Sequence, residues 1–274
     1  NHTVMNKWMV KFFMYLDRFH IEYNNLPTLT ETGLEKFKLM VFDPVKVSVT
    51  SLILDLVNKE RGGDAIDRPV ISNTIKLFER MGMDTLDVYN NDFEKPFLDG
   101  TRVYYKAKSG TWSESMSTPD YLINSEKAIT EESNRVKAYL NPESEEKVLA
   151  VITDELLAKT QQDLLNKENS GCLVLLRNEQ NEHLERMYRL FNRITDGIKP
   201  MADLFKQHIV ELGTKKVEAR QHRISNAKDK ETNDDPEFIK DLIAIHDRYL
   251  DIITRLFNNN NLFQKALKDA FSDI

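Results

Sequence analysis

The sequence predicts an all-α protein built from consecutive helices. Only 9 Gly and 8 Pro punctuate 274 residues, so little interrupts helix propagation. Apolar residues recur at helical spacing through most of the chain, and no stretch alternates apolar and polar residues for long enough to make a strand. Hydrophobic residues make up 41% of the chain, enough for packed cores, while 30% are charged, which calls for a large solvated surface. A net charge of −6 and a pI near 5.6 argue against nucleic acid or an anionic membrane as partner. The single cysteine, Cys172, excludes an internal disulfide and fits a reducing compartment. No apolar run reaches the roughly 20 residues that cross a bilayer, and no signal peptide is visible. These features fit a soluble intracellular protein. The chain starts in a helical pattern without an initiator Met and closes in another, so a piece of a longer polypeptide is expected.

Taken in order, residues 3–23 form a first helix with Met5, Trp8, Met9, Phe12, Phe13, Leu16, Phe19 and His20 on a broad apolar stripe. Val10 and Met14 widen the apolar surface beyond it, so this helix needs cover on more than one side. Past Asn24-Asn25-Leu26-Pro27, a second helix spans 30–42, with Thr30 as its N-cap and Leu34, Phe37 and Val41 buried. Asp43-Pro44 opens a third, since proline suits a first helical turn. Val45, Val49, Leu52, Ile53, Leu56 and Val57 form its core stripe down to Gly62-Gly63. A fourth helix covers 69–81 and stops at Gly82. The next, 89–112, places Tyr89, Phe93, Phe97, Val103 and Tyr104 in the core; Pro96 should kink it or delay its start, and Gly100 weakens it.

Thr118-Pro119 begins a long helix that ends near Leu140, before Asn141-Pro142. Further helices are expected at 143–165, 170–177, 181–193, 197–213, 235–257 and 260–273. The polar stretch 220–235 reads as a solvated loop, or as one helix extended beyond the core. Tyr89-Asn90-Asn91-Asp92-Phe93 echoes Phe257-Asn258-Asn259-Asn260-Asn261-Leu262-Phe263, each setting aromatic residues around an Asn-rich helix start, as stacked repeats would.

No catalytic constellation emerges. The six histidines are scattered, with no H-E-x-x-H and no Cys pair, so no metal or cofactor is expected. Asp17 and His20 share a helix turn but are too few for a di-metal bundle. Cys172 follows Gly171 near a helix start, yet Leu173, Val174 and Leu175 mark it as a buried structural thiol.

The most informative stretch is Lys59-Glu60-Arg61-Gly62-Gly63-Asp64-Ala65-Ile66-Asp67-Arg68. Physically it is a helix stop with Gly in the C-terminal cap, followed by a tight connection into the next helix. Its charges read as a structural turn that sets the angle between helices, and exposed pairs of this kind contribute only about 0–1 kcal/mol. The paired glycines lack the G-x-x-x-x-G-K-[ST] spacing of a phosphate loop.

This stretch resembles the E-R-x-G-[DE]-x-[IV]-D-R signature of cullins, the elongated scaffolds of multisubunit ubiquitin ligases. Tyr15-Leu16-Asp17-Arg18 resembles the Y-[LM]-[DN]-R motif in the last helix of the first cullin repeat. Tyr89 through Leu98 is similar to the Y-x-x-x-F-E-x-x-F-L segment of the second repeat. Ser170-Gly171-Cys172, then Met187-Tyr188-Arg189-Leu190-Phe191, resembles the third. Phe257-Asn258-Asn259 with Phe263 resembles that repeat's close. Ser170-Gly171-Cys172 and Met201-Ala202-Asp203-Leu204-Phe205-Lys206-Gln207-His208 are most similar to the SCF-type cullin.

The resemblance implies an elongated stalk of five-helix repeats: 1–24 as the last helix of repeat one, 25–141 as repeat two and 142–274 as repeat three. It implies a non-catalytic scaffold in the cytoplasm and nucleus. The implied partners are a Skp-type adaptor of BTB-like fold with its F-box substrate receptor, a cullin-associated exchange factor, and a RING subunit bound through a C-terminal region that this chain does not contain. Because the family's matching helix lies against its adaptor, Tyr15 and Arg18 are the expected adaptor contacts, followed by Lys11 and Met14; Tyr and Arg suit binding hot spots. Two rivals from the residues alone are a helical tether or trafficking scaffold, which should lack the Glu60–Arg68 signature, and an all-α enzyme with perturbed acids and histidines in a pocket.

Overall fold

The computed structural model describes residues 2–24, 26–83, 85–226 and 236–274, and its regular elements among these are all helical. The chain forms two compact units. One comprises Asn1–Gly100 with Arg135–Glu145, the other Thr101–Asn134 with Glu146–Ile274.

The first unit contains α1 (His2–Asn24), α2 (Leu29–Phe37), α3 (Asp43–Arg61), α4 (Arg68–Met81), α5 (Asp87–Tyr89) and the start of α6 (Lys95–Ser115). Thr28, not Thr30, caps α2. Its Oγ1 accepts from the Glu31 N–H at 3.2 Å, while the Glu31 carboxylate accepts from the Thr28 N–H at 2.7 Å. This reciprocal capping box needs a glutamate three residues on, which Thr28 has and Thr30 does not.

Neither Pro44 nor Pro96 breaks its helix. A five-residue π-turn, Lys38–Phe42, joins α2 to α3, and another, Asn90–Glu94, joins α5 to α6. Each ends one residue before an X-Pro pair, and the Asp43 and Lys95 N–H groups reach back five residues to Lys38 and Asn90. The wider turn relieves the clash of a proline ring with the preceding turn, so 29–61 and 87–115 are continuous helical runs rather than kinked or late-starting ones.

Pro96 has no N–H to offer the Asp92 carbonyl four residues earlier, and the Thr50 hydroxyl donates to it instead at 2.9 Å. Lys46 meets the Asp92 carboxylate at 2.8 Å. These two contacts select the face that α3 turns inward: Thr50, Ile53 and Val57 are buried, whereas Val45 and Leu52, expected in the core, are exposed. Replacing Thr50 with Val should leave the Asp92 carbonyl unsatisfied and lower stability by about 1–2 kcal/mol in urea unfolding. Phe42, Phe78 and Phe93 pack edge-on or tilted, with ring centres 5.0 and 5.7 Å apart, at the centre of this unit. Phe37 and Val41 lie outside that core.

The second unit takes the rest of α6 and most of α7 (Thr118–Tyr139) and α8 (Ser144–Thr153). It continues through a π-turn at Asp154–Ala158, α9 (Gln161–Asn166), α10 (Cys172–Arg177), α11 (Asn181–Phe191), α12 (Lys199–Asn226), α13 (Pro236–Leu256) and α14 (Asn261–Asp273). The single helix expected over 143–165 is thus two helices and a π-turn. In α6 the inward positions after Phe97 are Thr101, Tyr105 and Ser109, at spacing four, so Val103 is exposed and Tyr104 only half-buried.

Phe257 and Phe263 stack at 4.2 Å, and Phe205 meets Phe263, Tyr249 and Phe257 edge-on at 5.3, 5.5 and 5.8 Å. α12 crosses α14 closely because Gly213 has no side chain; a Cβ there would lie 2.2 Å from the Ile274 Cδ1. It runs well past residue 213, so 220–226 is a helical extension, clipped to α13 by Lys216–Asp241 at 2.8 Å and by Arg220 over the Phe238 ring at 4.8 Å. The remainder of the polar stretch, 227–235, lies outside the described residues.

The aromatic–Asn echo does not mark equivalent positions. Asn90 and Asn91 sit inside a π-turn, whereas Asn258 and Asn259 take left-handed conformations, φ 48° and 53°, that end α13.

Candidate functional site

Lys11, Met14, Tyr15 and Arg18 fall at i, i+3, i+4 and i+7 on α1 and therefore share one face. All four are exposed, Tyr15 by 70%. The Arg18 guanidinium lies 5.6 Å from the Tyr15 ring centre, and the Lys11 ammonium 5.8 Å from the Trp8 ring, both within cation–π range. Among the described residues α1 packs against α2, and Trp8, Met9, Phe12 and Phe13 of the expected core stripe are exposed too. The side chains of Met5, Leu16, Phe19 and His20 lie outside the described residues.

The signature between α3 and α4 is centred on one nearly buried carboxylate rather than on an exposed pair. Gly62 caps α3 and Gly63 takes φ 100°, a conformation that disfavours any side chain. The Asp67 carboxylate caps α4 by accepting from the Val70 N–H at 3.2 Å. The Glu60 side chain is only 9% exposed. Its Oε1 accepts from Arg68 Nε at 2.7 Å, and its Oε2 accepts from the Tyr139 hydroxyl at 2.8 Å and faces Arg135 Nε at 3.4 Å. Arg61 turns instead onto the Phe97 ring at 5.5 Å. One carboxylate thereby ties the end of α3, the start of α4 and the end of α7.

The other segments that carry the family likeness also hold structure together. Tyr89 and Glu94 belong to a relay: the Asn141 N–H donates to Tyr89, Tyr89 to Ser144 Oγ at 2.7 Å, and Ser144 to the Glu94 carboxylate at 2.6 Å. Burial pushes the Tyr89 hydroxyl up to about 12. Ser170 Oγ accepts from the Thr118 N–H at 3.0 Å, capping α7. Gly171 leaves no room for a side chain, since a Cβ would stand 2.4 Å from the Leu165 carbonyl oxygen. Cys172 is fully buried and its thiol is pushed up to about 12 by that burial, which makes it an inert packing group.

In the Met201–His208 segment, Met201, Ala202, Phe205 and His208 face the core. His208 Nε2 pairs with the Tyr249 hydroxyl at 2.7 Å. Among the described residues no three His, Cys, Asp or Glu side chains gather as a metal site, and no helix is long and apolar enough to cross a membrane.

Helices knitted by caps and relays, with glycines at close backbone approaches, make the described residues an all-α protein. Residues 1–274 match the family described as "Cullin alpha solenoid domain". The chain is 40% identical over 275 residues to Cullin-1 of Oryza sativa subsp. japonica, covering 99% of this chain and 37% of that protein. It is 39% identical to Cullin-3A of Arabidopsis thaliana over 261 residues, 94% of this chain and 34% of that one. Putative cullin-like protein 1 of Arabidopsis thaliana is 36% identical, with 99% and 37% covered. The chain belongs to the cullin family, and it spans about a third of the length of these relatives.

The exposed face of α1 was legible from helical spacing and residue type. The Glu60 hub was not, because Arg135 and Tyr139 lie more than seventy residues away in sequence and no local signal connects them.

Proposed function

We propose that this chain is part of the non-catalytic scaffold of a multisubunit cullin-RING ubiquitin ligase of SCF type. Its residues 1–24, 25–141 and 142–274 correspond to the end of repeat one, repeat two and repeat three. In this reading it holds a Skp-type adaptor and its F-box substrate receptor at a set distance from a RING-bound ubiquitin-conjugating enzyme, in the cytoplasm and nucleus. A RING subunit and a cullin-associated exchange factor are its further partners, and neither nucleic acid nor membrane is. The supporting observation is family membership over the whole chain, with the signature segments seated as structural joints. Positioning serves the chemistry, because a fixed separation raises the effective concentration of substrate lysine at the charged enzyme.

The Tyr15–Arg18 face is the adaptor contact in this reading. Large amphipathic side chains stand there beside a cation, the composition that dominates binding hot spots. The test is a titration of a Skp-type adaptor against a longer chain with the complete first repeat, and against its Tyr15→Ala/Arg18→Ala variant. Roughly a hundredfold loss of affinity is expected in the variant with helicity unchanged, on the scale of two hot-spot truncations. Unaltered affinity would remove the site, and no binding by the folded parent would remove the role.

A further inference from the structure

We propose that the outer face of α13 is a self-association surface on which a second copy of this chain packs antiparallel. Ile239, Ile243, His246 and Leu250 occur at i, i+4, i+7 and i+11, so they form one stripe along the helix. The apolar members are exposed by 52%, 53% and 40%. This is the four–three–four spacing of a heptad seam, and it lies away from the face that buries Phe238, Tyr249, Ile252 and Ile253 in the unit's own core.

The occupant follows from the stripe's self-complementarity. When two copies of this seam are laid antiparallel, Ile239 of one faces Leu250 of the other, and Ile243 faces His246. Each layer occurs twice by the two-fold axis, as an isologous contact requires. The flanking charges agree with the same register. Lys240 and Asp247 both follow a seam residue on the same flank, and antiparallel pairing sets Lys240 of one copy against Asp247 of the other, again twice.

Lys240 makes no ion pair among the described residues, and the Asp247 carboxylate is 70% exposed with only its neighbour His246 at 3.2 Å. A parallel pairing would instead set these residues of the two copies on opposite sides of the seam, where Lys240 and Asp247 cannot meet. Beside the seam, Leu250, Leu267 and Phe271 help line a groove of about 450 Å³, next to the place that Ile239 of the second copy takes in this register. The surface does not depend on the scaffold reading above.

The experiment is sedimentation equilibrium of the 274-residue chain up to about 0.1 mM, a range that captures weak dimers. A monomer–dimer equilibrium is expected, abolished in Ile243→Asp. It should weaken roughly tenfold in K240E and in D247K, where like charges face each other, and recover in the K240E/D247K double variant. Because these side chains are exposed, helicity by circular dichroism should be that of the parent in all four. A monomer throughout, as a face reserved for another protein would give, overturns the proposal. So does a dimer that survives Ile243→Asp, which would place the contact elsewhere, such as on the apolar α1. Failure of the double variant to recover overturns the antiparallel register.

Discussion

Glu60→Ala should lower the unfolding free energy of the first unit by about 3 kcal/mol, several times the effect of an exposed ion pair. Removing the carboxylate takes from Arg135, whose side chain is 8% exposed, the anion that faces it at 3.4 Å. The same change deprives the Tyr139 hydroxyl and Arg68 of their acceptor. A buried cation that loses an anion beside it recovers little hydration in exchange, so the loss exceeds the attraction that the pair would show in water. Glu60→Gln keeps one acceptor oxygen, sets an amide N–H2 in the other position, and should cost less than Ala. Urea unfolding monitored by circular dichroism, with separate transitions fitted where the two units melt apart, measures this difference. A change under about 1 kcal/mol for Glu60→Ala would mean that the signature charges behave as a solvated pair.

The second unit should lose stability on mild acidification through His208. The ring is buried, its Nδ1 has no partner, and burial, helped by the nearby Arg177, Arg248 and Lys215 and opposed by Glu211, holds its pKa at about 4 against an ordinary 6.5. A base whose pKa falls on folding stays neutral in the folded state and takes up a proton in the unfolded one. Its stabilisation is therefore complete above pH 6.5 and is lost as pH falls from 6.5 towards 4. The predicted loss from this group is about 2 kcal/mol between pH 7.5 and pH 5, a window above the range where most carboxylates titrate. Unfolding free energies at the two pH values, for the parent and for His208→Gln, isolate it, since the variant lacks the titration but keeps a hydrogen-bonding side chain. An equal pH dependence in both proteins would show that the ring is charged in the fold or that other groups dominate.

Much of the architecture was readable because helices announce themselves locally. Gly62 and Gly82 stop α3 and α4 where the sequence places them, and Thr118-Pro119 starts α7. The errors share a cause. Pro44 and Pro96 are helix breakers by local rule, yet a π-turn ahead of each lets the helix continue, and the lost donor at Asp92 is made good by Thr50 from another helix. Val45 and Leu52 were assigned to the core by apolar character, whereas the tertiary pull of Asp92 on Lys46 and Thr50 rotates α3 away from them. Glu60 looked like half of an exposed pair because its deepest partners come from the end of α7.

The family signatures proved to be joints: a helix-turn hub, a hydroxyl relay and a glycine under a carbonyl. Such positions tolerate little change of shape. The Tyr15–Arg18 face is different in kind, since its side chains are exposed.

The most direct measurement of the scaffold reading separates holding from positioning. A flexible Gly/Ser linker of about ten residues, inserted between α1 and α2 of a longer chain with complete first repeat and RING-binding region, lets the adaptor end wander while leaving its contact face intact. Ubiquitin transfer to an adaptor-bound substrate should slow by roughly tenfold or more as the effective concentration at the charged enzyme falls, while adaptor affinity stays at the parent value. Undiminished transfer with the linker in place would contradict a role in fixing the separation.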